Sequence, residues 1–459
     1  MPKALPRFLL AAAFLPASAA ALAQHPASQP TQGRDPNTGS AFNIRPSDGN
    51  PPPKEWTDPD TGHRVVRLSD EPNSLSLYFH QYAYSPDGKE LAFTSPTGIY
   101  QVNLDTRKIS QVLPAHSTVD GQTVANNIIH VGRKTGRIFL TRTVFSGDHP
   151  QAGGYAVSPD HAPAQRSVWW IDPLSKQEHK IGDLPPNYSI GTVNCDETLL
   201  AGAVTYLDGR NGSATQPVRA APGQRINLAE RWAQHLPMAL ITMDASTGKI
   251  TEFNPSNDWD NHFQFSPTDP HLLMYCHEGP WQNNDRVWTI NTDGSNLTKI
   301  HARTMINEIW GHEFWAPDGS AAWYQLNTPR GVGGVAWIAN TNLKTHAETW
   351  YHLEPGQNSI HVNISPDGKL LAGDGGNGDP WILLHTPHLA RNLAAGVYDT
   401  KGLVQPGYFD TEKLVNMSKH QYALEPNVNF TPDNKWIVFR SNMFGPSYVF
   451  EVQVAKSTP

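Results

Sequence analysis

The sequence predicts an all-β fold, a seven-bladed β-propeller of four-stranded antiparallel blades. Three observations carry that prediction. A turn followed by an apolar strand recurs seven times along the chain. A second hairpin follows most of these turns. The composition, 39 Pro and 36 Gly in 459 residues, demands frequent chain reversals.

The chain divides in order. Residues 1–23 read as a signal peptide: Lys3 and Arg7 are basic, Phe8 to Leu22 is apolar, and Ala21-Leu22-Ala23 offers a cleavage site. A mature chain starting at Gln24, exported to a periplasm or beyond, is the expectation. Residues 24–54 form a linker rich in Pro, Asn, Ser and Gly, ending at Pro51-Pro52-Pro53. The propeller occupies 55–459. Its turns begin at Ser85, Gly132, Asn194, Ser266, Ala316, Ser365 and Thr431, roughly 46 to 72 residues apart. An Asp-Gly or Asp-Asn pair supplies most of the reversals, and the residues that follow alternate or run apolar as half-buried strands do. Second hairpins start at Ile99, Val168, Leu240 and Val287. A β-sandwich would not require such regular repetition. Residues 206–234 interrupt the repeat and read as a flap, with a short helix over Leu228–Ala233.

Charge and composition exclude several classes. Charged residues are only 17% of the chain and aromatics 10%, unlike a disordered tail or a coiled coil. A net charge of −7 without a Lys/Arg run leaves no footprint for nucleic acid. After the signal peptide no segment is long and apolar enough to span a membrane. The expectation is a monomer that binds no nucleic acid. Cys195 and Cys276 allow one disulfide but no Cys-rich zinc site. The 20 His are the more telling group.

Four residues upstream of the seven turns stand Gln81, Ile128, Ile190, His262, His312, His361 and Asn427. Two residues upstream stand Ala83, His130, Thr192, Gln264, Phe314, Asn363 and Asn429. Positions two apart share a strand face, so one face of each inner strand is rich in His, Asn and Gln. If these strands line the axis, His262, His312 and His361 converge from successive blades. Glu425 shares the face of Asn427, His80 adjoins Gln81, and Glu278 follows His277. Carboxylates with imidazoles suit a divalent cation, Mn²⁺ or Ca²⁺, and proton transfer. Trp281, Trp310, Trp315 and Trp381 offer faces to sugars. No HExxH or GxSxG motif is present, and no carboxylate pair marks a glycoside hydrolase.

Several segments together resemble the oligogalacturonate lyases. They are His262-Phe263-Gln264-Phe265-Ser266-Pro267, Cys276-His277-Glu278-Gly279-Pro280, Gly311-His312-Glu313-Phe314-Trp315, His361 ahead of Gly373-Asp374-Gly375, and Phe430-Thr431-Pro432. The resemblance implies a propeller that cleaves uronate oligosaccharides by β-elimination, so that the expected partner is an acidic oligosaccharide or polysaccharide. It implies His262 as the base and His312 as a metal ligand. The family's other ligands are a Gln and two His before the last segment. Here that stretch reads Gln421-Tyr422-Ala423-Leu424-Glu425-Pro426-Asn427, so Glu425 and Asn427 replace the two His, and Tyr422 or Gln421 the Gln. Oxygen donors favour a harder cation. Arg231, or Arg225, is the candidate for neutralising the substrate carboxylate.

The expected catalytic residues are His262, Arg231 and His361. The expected metal ligands are His312, Glu425 and Asn427. His80, Gln81, Gln264, Asn363 and Trp315 are expected to bind substrate. Competing readings are a lyase for rhamnose–glucuronate or ulvan-type linkages, and a non-catalytic propeller of the TolB type.

Overall fold

The computed structural model describes residues 51–119, 122–145, 163–218, 227–390 and 402–456. The signal peptide, most of the linker and Arg225 lie outside the described residues.

The recurring turn explains itself in hydrogen bonds. Ser85 Oγ donates to Asp87 Oδ1 at 2.6 Å and accepts the Glu90 N–H at 2.9 Å. Ser365 with Asp367 and Thr431 with Asp433 repeat the first bond at 2.7 Å. Gly88 and Gly368 take φ of 72°, where a Cβ is penalised. Each such turn closes the first hairpin of an antiparallel meander.

The described residues form six sheets. Four hold single blades, spanning 75–114, 116–184, 188–256 and 259–299. A fifth, of eight strands, is two meanders, 309–353 and 362–416, joined where Glu348–Leu353 pairs in parallel with Gln405–Asn416. The sixth sheet closes the ring. Arg64–Arg67 from the start of the chain pairs with Tyr448–Gln453 from its end, Val65 opposite Val452. Among the described residues the pairings thus resolve into seven antiparallel units, five of four strands and two, 116–184 and the closing sheet, of five. The parallel seam between two blades has no counterpart in the sequence repeat.

The core lies between blades. Ala201, Ala203 and Leu240 of one sheet pack on Phe263, Leu273 and Tyr275 of the next. Met274 and Val287 then meet Trp310 and Tyr324. Removing such faces from water stabilises by roughly 25 cal/mol per Å² of apolar surface.

The flap leaves the blade 188–256 between the strands Leu199–Thr205 and Met238–Asp244. Its helix is Leu228–Ala233, capped by Asn227, whose side chain accepts from the Ala229 and Glu230 N–H groups. Cys195 and Cys276 are both free thiols, so the disulfide allowed by composition does not form. No helix among the described residues is long and apolar enough to cross a membrane.

Candidate active site

The site begins with a backbone irregularity repeated in successive blades. In the strand Trp259–Phe265, register shifts between Asn261 and Gln264. In Ile309–Trp315 it shifts between Gly311 and Phe314. His262 and His312 sit in these bulges with φ of 53° and 51°, and Asn427 takes 54°. A left-handed backbone costs a non-glycine residue about 1–3 kcal/mol and clusters at functional sites. Here it aims the imidazoles inward.

His312 is prepared as a ligand. Gln325 donates its amide N–H to the Ser359 carbonyl at 2.7 Å, which turns its Oε1 toward His312. That oxygen accepts from His312 Nδ1 at 2.7 Å. The lone pair therefore lies on Nε2, which is buried with no hydrogen-bond partner. Burial and the neighbouring His361 hold the His312 pKa well below the usual range. The two rings stand 4.7 Å apart.

His361 precedes the strand Val362–Ile364. Its backbone N–H donates to Asp374 Oδ1 at 2.7 Å, and its Nδ1 meets Oδ2 at 2.9 Å. Its Nε2 lies 3.2 Å from the Tyr78 hydroxyl and 3.8 Å from Glu425 Oε2. Burial pushes the Asp374 carboxyl up to about 7 and draws His361 down to about 4.

His262 lies between two carboxylates. Nδ1 is 3.3 Å from Glu313 Oε1 and Nε2 is 3.7 Å from Glu278 Oε2. Burial opposes its charge, but Cys276 and Glu313 hold its pKa well above the usual range. Arg286 grips Glu278 with Nη1 at 2.8 Å and Nη2 at 3.3 Å. Despite burial, Arg286 and His262 hold that carboxyl down at about 2. Gly311 makes room for Arg286: a Cβ there would lie 2.6 Å from its Nε.

The flap helix reaches the same place. Trp232 packs so close to Gly279 that a Cβ there would lie 2.5 Å from its ring. Arg231, 6% exposed, lies over the Trp259 ring at 4.8 Å. No carboxylate pairs with it among the described residues, and burial lowers its pKa to about 10. It remains a cation at neutral pH.

A family model described as oligogalacturonate lyase matches residues 227–458, half of the chain. The chain belongs to the oligogalacturonate lyase family. The oligogalacturonate lyase of Dickeya dadantii is 25% identical over 435 residues, 88% of this chain and 96% of its own. The oligogalacturonide lyase of Pectobacterium atrosepticum is 28% identical over the same coverage. A solved oligogalacturonate lyase in complex with manganese shares the fold with a TM-score of 0.64 at 21% identity, covering 88% of this chain and 96% of that one. The oligogalacturonate lyase from Vibrio parahaemolyticus gives 0.64 at 22%, covering 88% and 97%.

Within this oligogalacturonate lyase framework the expected residues divide. His262, His312, His361 and Glu425 gather at the axis. Asn427 also lies there, but its side chain is committed to backbone: Oδ1 accepts the Phe79 N–H at 3.2 Å and Nδ2 donates to the Glu425 carbonyl at 3.0 Å. It positions the Glu425 segment instead of offering a donor to a metal. His80, Gln81, Gln264, Trp315 and Asn363 line one axial cavity. Three of their amides hold chain segments together: Gln81 donates to the Ile129 carbonyl at 3.0 Å, Gln264 to the Glu313 carbonyl at 2.8 Å, and Asn363 to the Phe79 carbonyl. Trp315 donates to the Gln264 carbonyl at 3.2 Å. The His80 ring stands 5.9 Å from that of His262. Of the other tryptophans, Trp310 is fully buried against His301, Trp281 lies under Arg286 at 4.4 Å, and Trp381 under Lys413 at 4.4 Å.

Sequence reasoning missed Glu313, Arg286 and Tyr78 as parts of this cluster. Glu313 adjoins His312, and strict alternation sends it to the opposite face. The bulge resets the alternation. Glu278 ends the strand Leu272–Glu278.

Proposed function

We propose that this chain cleaves oligogalacturonates by β-elimination, with His262 as the base and Arg231 on the substrate carboxylate. One observation carries the assignment of roles. Three imidazoles from successive blades meet at the axis in different states: His312 neutral with a bare Nε2, His361 neutral beside Glu425, and His262 between two carboxylates. Family membership favours this reading over a TolB-type binding propeller.

In type the donors suit a divalent cation: an imidazole with a bare Nε2, and a second imidazole beside a carboxylate. His312 Nε2, His361 Nε2 and Glu425 would hold it, while Asn427 would not ligate; the manganese in a solved relative supports this cofactor. When bound, the cation would draw off charge that develops on the uronate carboxylate as C5 loses its proton. Asp374 fixes the His361 ring, as a carboxylate behind a ligating imidazole does. Arg231 supplies a fixed positive charge in a dry setting, where it is worth most. The raised pKa makes His262 a strong base that reacts only in its deprotonated fraction; that form takes the C5 proton on Nε2, and Glu313 and Glu278 stabilise the imidazolium that results. The group on O4 then leaves, and an unsaturated sugar remains. The apolar run at Phe8 to Leu22 supports an exported enzyme.

Product mass decides the reaction. Digests of oligogalacturonate should contain a product one water lighter than the hydrolytic one, absorbing in the ultraviolet. His262→Ala should lower the rate by about 10²–10⁴-fold. A chelator should abolish activity and manganese restore it. Products of hydrolytic mass, or full activity in His262→Ala, would overturn the assignment.

A further inference from the structure

Beside His262, the strand Leu272–Glu278 brings two more metal-binding side chains to one point. One ligand atom each from His262, Cys276 and Glu278 lies within 4.8 Å of the others. None of the three belongs to the cation set argued above. Alternation puts residues 276 and 278 on one face, and the bulge opposite delivers His262. Cys276 is wholly buried and Glu278 is 8% exposed. Imidazole, thiolate and carboxylate are zinc-type donors, and sulfur selects against manganese and calcium. Three protein ligands leave a fourth position open.

Charge is the main objection, because Arg286 lies 3.7 Å from Cys276 Sγ as well as on Glu278. The neighbours offset it. With the thiol ionised and His262 deprotonated to ligate, Cys276, Glu278 and Glu313 carry three negative charges against one on Arg286. A divalent cation makes the cluster neutral. Arg286 also engages Glu278 Oε1 more closely than Oε2, which leaves the latter turned to His262.

We propose that His262, Cys276 and Glu278 form an inhibitory site for a thiophilic divalent cation such as zinc or cadmium, separate from the cation that serves the reaction. Bonds form from the metal to nitrogen, sulfur and oxygen without change of oxidation state. The thiol proton and the proton on the ligating His262 nitrogen leave to solvent. The site blocks the enzyme because it occupies the His262 lone pair, and this consequence rests on His262 being the base.

The test uses the full chain loaded with manganese and titrated with cadmium. A thiolate-to-cadmium ultraviolet band should saturate at one equivalent, and the lyase rate should fall in parallel. Cys276→Ser should lose the band and, measured against its own uninhibited rate, need at least about tenfold more cadmium for half inhibition. Cys276→Ala should behave alike, and Cys195→Ser should keep the band. No band in the unsubstituted chain, or a band that survives Cys276→Ser, overturns the site. A band with undiminished lyase rate upholds the metal site and removes His262 as base.

Discussion

Arg231 is the residue whose setting most needs a ligand. A guanidinium stacked on Trp259, buried and without a carboxylate among the described residues, is a poor structural device. A substrate carboxylate completes it. Arg231→Ala should lower kcat/KM for oligogalacturonate by about 10²–10³-fold, the usual scale for losing one electrostatic contact to the transition state. Arg231→Lys should recover part of the loss, since it keeps the charge without the planar fork. Steady-state rates and melting curves of both variants check this; wild-type kinetics in Arg231→Ala would move carboxylate recognition elsewhere. At this scale the sequence was readable where type and register sufficed. His262, His312 and His361 stood at one offset from a repeated turn. Glu313 was not readable, because its direction depends on the left-handed residue beside it. Asn427 misled for a related reason: residue type suggested a ligand, while the fold uses its amide to tie Phe79 to Glu425.

Between blades, elements are held by buried charge as well as by apolar faces. His301 follows the strand Thr298–Lys299 and reaches across to the next blade. Its Nε2 meets Glu308 at 2.6 Å and its Nδ1 meets Glu348 at 3.0 Å. Both ring nitrogens donate only if the ring is charged. Burial opposes that charge, but the two carboxylates raise the pKa to about 9. A raised pKa gives stability that is full below the ordinary value of 6.5 and lost as pH climbs through about 9. The shift corresponds to at most about 3 kcal/mol. Melting temperature should therefore decline between pH 6.5 and 9 in the parent chain. In His301→Gln the decline should be shallower from a lower start. Equal slopes would assign the alkaline loss to other groups. The composition flagged His as significant but gave no hint of this triad, because its members are 7 and 47 residues apart and only Glu348 lies on a strand.

The whole molecule depends on one closure. Seven repeats predict a ring, but the repeat does not say which segment supplies the last strand. The structure assigns it to Arg64–Arg67, against Tyr448–Gln453, with Glu55–Thr57 outside it. Val65, Val66 and Leu68 are buried there. Each such side chain contributes about 1.5–3 kcal/mol. Deleting residues 1–68 should therefore cost several kcal/mol and leave the Tyr448–Gln453 strand, with Phe450 and Val452, as an open edge that invites association. Deleting residues 1–50 removes none of these strands and should melt as the full chain does. The consequence reaches the site, because the closing sheet also carries Arg440, which donates to the carbonyls of Glu425 at 2.7 Å and Ser76 at 3.2 Å. The longer deletion should then lose lyase activity together with thermal stability. A synthetic peptide of residues 51–70 added in trans should restore part of both, since antiparallel pairing needs no covalent link. Thermal melts, light scattering and product absorbance measure the three effects; equal melting of the two deletions would show that the ring closes without Arg64–Arg67.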